Sequence, residues 1–443
     1  MHYKHRSKLY SLFSQTQQSI IFLEGAKIMY RYQTDYEFAF RQESNFWYVS
    51  GVNEPDCAAI LDIDSKEFHL FVPKRDVQYA VWHGYVKSLD QYQSEYSPDH
   101  VHYMDELHEV VKKLKPSIVF CLNESSQERF SYEPELTTNS EALIEALNDA
   151  RVIKTEEELE CLRIASQVNN EAYKRVIESW KPGMYEYQAK AIFTEVQISN
   201  GLQQDAYNGI YASGPNSAIL HYVSNTRQTQ DGELLLIDAG FEYQGYAADF
   251  SRTFPVNGRF SADQAALYDT VLTAQKQVIE AIKPGVRMED LHMMSASTMM
   301  EGLLDMGIVK GSLNSIMEAN IFALFFPHGL GHFLGLDTHD VGGYPKGMER
   351  IDRPGIFYLR ARRELEVGMV VTVEPGIYFI PALLEPALKN PSKQMFLNTE
   401  KIHQLMDFGG IRIEDDIVVT ENGYENLTHI AKERDEIERL MNI

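Results

Sequence analysis

The chain has 443 residues, 44% of them hydrophobic and 24% charged, the balance of a globular protein long enough for two or three domains with sizeable cores. A formal net charge of −23 opposes nucleic acid or an anionic membrane surface as a partner, because a polyanion would be repelled over much of the molecule. Cys57, Cys121 and Cys161 form no CxxC pair, which points away from a disulfide framework and a thiolate metal site. There is also no apolar run of about 18 residues and no signal-like core in the basic opening MHYKHRSKLYSLFSQ, so a cytoplasmic, membrane-free protein is expected.

Residues 19–23, 58–63, 68–72 and 117–122 read as short strands and 104–114 has helical apolar spacing, so the first 150 residues form a mixed α/β region. No dense cluster of histidine and carboxylate stands in this half, which is expected to shape, cover or dimerise a site rather than carry its chemistry. A boundary falls near 150–157, dividing the chain into domains 1–154 and 155–443. Thr155 and Glu158 have capping-box spacing, and Leu159, Leu162, Ile164, Ala165 and Val168 then follow at helical intervals as far as Trp180. KPGMYEYQ at Lys181 and KPGVRMED at Lys283 each close one helical segment and open another, the mark of an internal duplication whose two halves would share a central site.

Residues 234–254, LLLIDAGFEYQGYAADFSRTF, read as two strand runs. A hairpin turning at Tyr243 and Gln244 would set Asp238 opposite Asp249, with β-carbons about 4.5–5.5 Å apart. Two carboxylates that close repel unless cations sit between them, and two divalent ions about 3.5–4 Å apart would serve. Asp238 is also readable as a turn residue before glycine, and Asp249 as a solvated strand residue. Further on, PHGLGHFLGLDTHDVGGY holds His328, His332 and His339 among five glycines, a loop whose backbone approaches something closely. The apolar run 370–373 delivers Glu374 before Pro375 and Gly376, and in GGIRIEDDIVV alternation puts Arg412 and Glu414 on one face. Each segment alone has a structural explanation. Together, two aspartates, a histidine and two glutamates offer five oxygen and nitrogen ligands with four negative charges. That set balances two divalent cations and favours manganese, with cobalt, zinc or iron(II) also acceptable.

The segments SAILHY, LLLIDAG, GYAADFSRTFP, FPHGLGHFLGLDTHDVGGYP, VVTVEPGIYFI and FGGIRIEDDIVVT resemble the pita-bread metallopeptidases, in particular their prolidase (Xaa-Pro dipeptidase) branch, close to aminopeptidase P. The resemblance covers roughly residues 155–430, with a weaker echo in FRQESNFWYVSGVNEP. It implies an α/β (α+β) protein with an N-terminal creatinase-like domain and a pita-bread domain with an internal pseudo-twofold repeat, usually as a homodimer. It implies Asp238, Asp249, His332, Glu374 and Glu414 as metal ligands, with Asp249 and Glu414 bridging. By the same resemblance Glu374 is also the general base, His221, His328 and His339 donate hydrogen bonds or carry protons, and Arg412 orients Glu414.

The implied reaction is hydrolysis of Xaa-Pro dipeptides. Such a bond needs a dedicated site because its nitrogen carries no hydrogen and its ring fixes φ near about −65°. The segment GMERIDRPGIFYLRARREL resembles an insertion typical of prolidases. Arg360 within it is implied to pair with the carboxylate of the C-terminal proline, and Tyr207 to wall the pocket. Release of the N-terminal residue from longer Xaa-Pro peptides, as in aminopeptidase P, is the alternative. A pita-bread binding module without catalysis stands third, since all five ligands are present.

Overall fold

A computed structural model describes residues 1–131 and 136–441. The chain divides into two compact units, Met1–Arg151 and Val152–Ile443. The first is built on a six-stranded sheet ordered His100–Tyr103, Phe68–Val72, Ala58–Asp62, Ser19–Glu24, Ile118–Phe120, Thr137–Asn139. The three apolar runs expected as strands are the central ones, and the run at 117–122 contributes only Ile118–Phe120. Ile20, Phe22, Ile60 and Phe71 form a core with Leu107, Val110 and Val111, the apolar stripe of the helix Leu107–Leu114. That helix is entered through a 3₁₀ turn at Met104–Glu106, so the expected segment is helical throughout. The two edge strands are short and polar, and alternation of apolar residues does not reveal them.

The second unit opens with the helix Glu156–Ser179. Thr155 Oγ1 accepts from Glu158 N–H, and Glu158 Oε2 accepts from Thr155 N–H at 2.7 Å, the reciprocal cap read from the sequence. The duplication is structural as well. After the first helix, Gly183 takes φ +86° and donates its N–H to Thr229 O; after the helix Ala262–Ala281, Gly285 takes φ +86° and donates to Leu365 O. A left-handed residue is needed at both stops, and glycine supplies it without steric cost. Each stop leads into a second helix, Glu186–Ser199 or Met288–Asp305, packed against the first.

The strand Leu234–Ala239 lies between Ile210–Ser213 and Phe250–Pro255, antiparallel to both. Val370–Val373 pairs with Asp415–Thr420, and Gly376–Tyr378 with Gly410–Arg412. Bridges Ser251↔Glu414 and Phe333↔Val371 tie these pieces together. The hairpin register differs from the expected one. The turn is Gln244–Gly245, with φ +50° and +81°, because glycine accepts the left-handed second position that a two-residue loop requires. Moving the turn by one residue moves the register by two, so Asp238 faces Ser251 rather than Asp249. Asp249, two residues before Ser251, becomes the diagonal neighbour of Asp238 on that face. Nearby, a β-carbon on Gly240 would stand 1.7 Å from Ala248 O, so glycine is what lets these backbones meet.

Arg252 and Asp415, both fully buried, form an ion pair at 2.8 Å. Arg252 also donates to Glu414 O and Ile430 O, fastening the Glu414 backbone to the strand that follows Asp249.

Candidate metal centre

Four strand ends and one glycine-rich loop converge on a cavity of about 610 Å³. Asp238 comes from the end of Leu234–Ala239, Asp249 from the residue before Phe250–Pro255, Glu374 from just past Val370–Val373, and Glu414 from just before Asp415–Thr420. His332 is delivered by the loop. A β-carbon on Gly331 would lie 1.9 Å from Thr372 O, so the loop lies on the strand as closely as backbone can, and Thr372 N–H donates to His332 O at 2.9 Å. Every residue singled out from the sequence lines this one cavity: the five carboxylate and histidine donors with His221, His328, His339, Arg412, Arg360 and Tyr207.

Ligand atoms of Asp249, His332 and Glu414 all lie within 4.8 Å of one another, and Asp238 and Glu374 flank them. His332 Nδ1 is 3.0 Å from Phe333 O, so that nitrogen donates to the carbonyl. Nε2 then faces Asp249 Oδ2 at 3.2 Å and Glu374 Oε1 at 3.8 Å. Against four carboxylates, Arg412 is the fixed cation among the described buried side chains that line the cavity. Its Nη2 donates to Asp238 Oδ2 at 2.6 Å, Nε to Ser251 Oγ at 3.0 Å and Nη1 to Tyr378 Oη at 2.8 Å. Ser251 in turn donates to Glu414 Oε2 at 2.8 Å, so Arg412 orients Asp238 directly and Glu414 through the serine. Tyr207 Oη donates to the other oxygen of Asp238 at 2.6 Å.

The charge balance is visible in the protonation of these groups. Burial pushes the Glu374 carboxyl up to about 7. Burial and then Asp249 push Glu414 well above the usual carboxylate range, and burial raises Asp238 despite Arg412 beside it. Asp249 goes the other way: burial works against its charge, but the hydrogen bond and charge of His332 outweigh that and hold it low. Converging hard oxygen donors with one oriented imidazole and an excess of negative charge fit divalent cations.

His328 Nδ1 donates to Gly329 O at 2.7 Å, and its Nε2 is 2.9 Å from Tyr378 Oη. Because Tyr378 Oη already accepts from Arg412, its own proton goes to His328 Nε2. Burial and then Arg412 lower the His328 pKa to about 3, and burial and then His332 lower that of His339 to about 3, so both rings are neutral near pH 7. Ser251 and Tyr378 are the participants that sequence reading passed over. Ser251 is two residues from Asp249, and period-two spacing along a strand would have found it. Tyr378 sits in an apolar run, GIYFI, and reads as core.

Arg360 is unlike Arg412. Its side chain is exposed at the cavity mouth and makes no hydrogen bond or ion pair among the described residues. Its backbone is held by the turn before the insertion: Arg362 N–H donates to Gly343 O at 2.7 Å, and a β-carbon on Gly343 would stand 2.0 Å from Arg360 O. Gly343→Ala is therefore expected to push the Arg360 segment outward by an ångström or so and to lower kcat/KM on a Xaa-Pro dipeptide by about 100-fold, with the far-ultraviolet spectrum unchanged. Steady-state kinetics of the variant check this.

The family comparison agrees with the geometry. Residues 160–421 match the model of metallopeptidase family M24, and residues 2–119 match the aminopeptidase P N-terminal domain. The chain belongs to metallopeptidase family M24. Within that family it is 42% identical to the Xaa-Pro dipeptidase of Homo sapiens over 436 residues, covering 96% of this chain and 88% of the relative. It is 36% identical to a probable Xaa-Pro aminopeptidase of Botryotinia fuckeliana, covering 96% and 92%. Among solved structures, zinc-substituted E. coli aminopeptidase P in complex with product superimposes with a TM-score of 0.84 at 32% identity, covering 100% of this chain and 98% of that one. The α/β two-domain pita-bread fold and the metallopeptidase class expected from the sequence are thus borne out. Among the described residues, no helix is long and apolar enough to cross a membrane.

Proposed function

We propose that the chain is a manganese-dependent Xaa-Pro dipeptidase, in which Asp238, Asp249, His332, Glu374 and Glu414 would hold two divalent ions. The observation that carries the reading is the convergence of five donors and an unpaired arginine on one cavity, supported by the 42% identity to a Xaa-Pro dipeptidase. When bound, the ions supply Lewis acidity that polarises the scissile carbonyl and acidifies the attacking water.

The remaining work falls to the side chains. Glu374 takes the proton of the water and returns it to the proline nitrogen, which has none of its own and cannot leave without one. His221 and His339 donate hydrogen bonds to the substrate around the reacting carbonyl. His328 acts by position: with both ring nitrogens engaged, it holds Tyr378, and through it Arg412, in register. Arg360 pairs with the carboxylate of the C-terminal proline, and Tyr207 walls the cavity while orienting Asp238.

The same reading divides the molecule at Thr155, with residues 1–154 as a creatinase-like domain and 155–443 as the catalytic one, in a cytoplasmic homodimer. One preparation tests the whole. After chelation, hydrolysis of Gly-Pro is expected to vanish and to return most strongly with Mn²⁺. Native mass spectrometry of that sample is expected to find two chains of 50.8 kDa with two ions each. Full activity in the chelated protein, or a monomer with one ion, contradicts the proposal.

A further inference from the structure

The N-terminal unit carries a second convergence of ligating side chains, far from the first in sequence. His69 on the strand Phe68–Val72 pairs in register with His100 on the edge strand His100–Tyr103, and Phe71 pairs with His102. His69, His100 and His102 therefore stand on one face, with the His69 ring stacked on both of the others at centroid separations of 4.7 and 5.4 Å. Glu67 Oε2 reaches that face, 3.6 Å from His100 Nε2 and 4.0 Å from His69 Nε2. From these residues we propose that Glu67, His69 and His100 form a separate binding site for a borderline divalent cation, represented by Zn²⁺.

Three features support it. The ligand atoms of the three residues lie within 4.8 Å of one another. Tetrahedral zinc with bonds of about 2.0–2.1 Å places its ligands roughly 3.3–3.4 Å apart, so a small contraction of the observed triangle would close it. Second, His69 is 5% exposed, and its Nε2, 4.0 Å from Glu67 Oε2, is buried with no hydrogen-bond partner among the described residues. Third, His69 Nδ1 lies 3.1 Å from His102 Nε2. If His69 carried its hydrogen on Nε2, a buried N–H would be orphaned, and such groups are rarer than unused lone pairs. The proton is therefore on Nδ1, donated to His102, which leaves the Nε2 lone pair free for a cation beside Glu67. His102 plays the orienting part that a ligating imidazole commonly needs.

Two imidazoles and one carboxylate suit Zn²⁺, Ni²⁺ or Cu²⁺ better than Mn²⁺, and differ in this from the carboxylate-dominated catalytic cavity. With three protein ligands the site keeps a fourth position open for water. A cation there would clasp the edge strand to its neighbour.

The test compares zinc bound per chain after equilibrium dialysis against Zn²⁺, in the full-length protein and in His100→Ala and Glu67→Gln. Both changes lie on half-exposed side chains outside the catalytic cavity, so the catalytic sites contribute equally to all three counts. The wild type is expected to hold one more Zn²⁺ than either variant at a free concentration where that site is filled. Each variant's affinity at the site is expected to fall at least ten-fold, while Gly-Pro hydrolysis by the manganese-loaded proteins stays equal. Equal zinc counts in the wild type and both variants, all with the same circular dichroism spectrum, would overturn the site.

Discussion

Asp249→Asn is expected to lose roughly 1,000-fold in kcat on Gly-Pro and to retain at most one manganese ion per chain. The substitution keeps the shape of the side chain and the backbone N–H bond to Asp416 Oδ2 at 3.0 Å, so packing is preserved. What it removes is one negative charge from the centre of the donor triangle with His332 and Glu414. A catalytic ion contributes several kcal/mol of transition-state stabilisation, and each 1.36 kcal/mol is about a factor of ten in rate. If Asp249 ligates as proposed, its loss as a carboxylate removes most of that. The metal-free variant is expected to melt lower than the metal-free parent, because His332 favours the charged form of Asp249 and the amide gives up that pairing. Manganese analysis, kinetics and a thermal melt read the three effects. Unchanged metal and activity would contradict the dinuclear assignment as a whole.

Arg360→Ala is expected to cut kcat/KM on Gly-Pro by roughly 100-fold while changing a tripeptide such as Gly-Pro-Ala by less than about three-fold. A charge-assisted hydrogen bond contributes about 1.5–3 kcal/mol, and a guanidinium facing a carboxylate can make two of them. Only the dipeptide presents a carboxylate on its proline; in the tripeptide an amide takes its place. Arg360 is free to act because nothing among the described residues engages its side chain, whereas Arg412 is spent on Asp238, Ser251 and Tyr378. Equal losses on both peptides would assign Arg360 to the scaffold instead.

What could be read along the chain depended on the range of the interaction concerned. The Thr155 cap, the Val370–Val373 strand and the paired KPG stops are settled within a few residues, and each is where the spacing puts it. The hairpin register failed on a single residue. Tyr-Gln and Gln-Gly are adjacent candidates for the turn, and only the need for two left-handed residues selects the second. Asp238 and Asp249 still share a cavity because a shift of two preserves the face. The carboxylate and histidine donors were legible because charge and ligand type are unusual at strand ends. Tyr378 was not, because its role exists only through His328 and Arg412, 50 and 34 residues away. The N-terminal histidines were passed over for the same reason. Glu67 with His69 and His100 with His102 each show period-two spacing, but 31 residues separate His69 from His100, and strand pairing alone brings them together.

The most direct measurement is hydrolysis of Gly-Pro beside Gly-Pro-Ala by the manganese-loaded protein, following glycine release from each. A preference for the dipeptide of at least about 100-fold is the expected result, since the tripeptide has no carboxylate for Arg360. Faster cleavage of the tripeptide would contradict the dipeptidase reading and make the protein an aminopeptidase acting on longer Xaa-Pro chains.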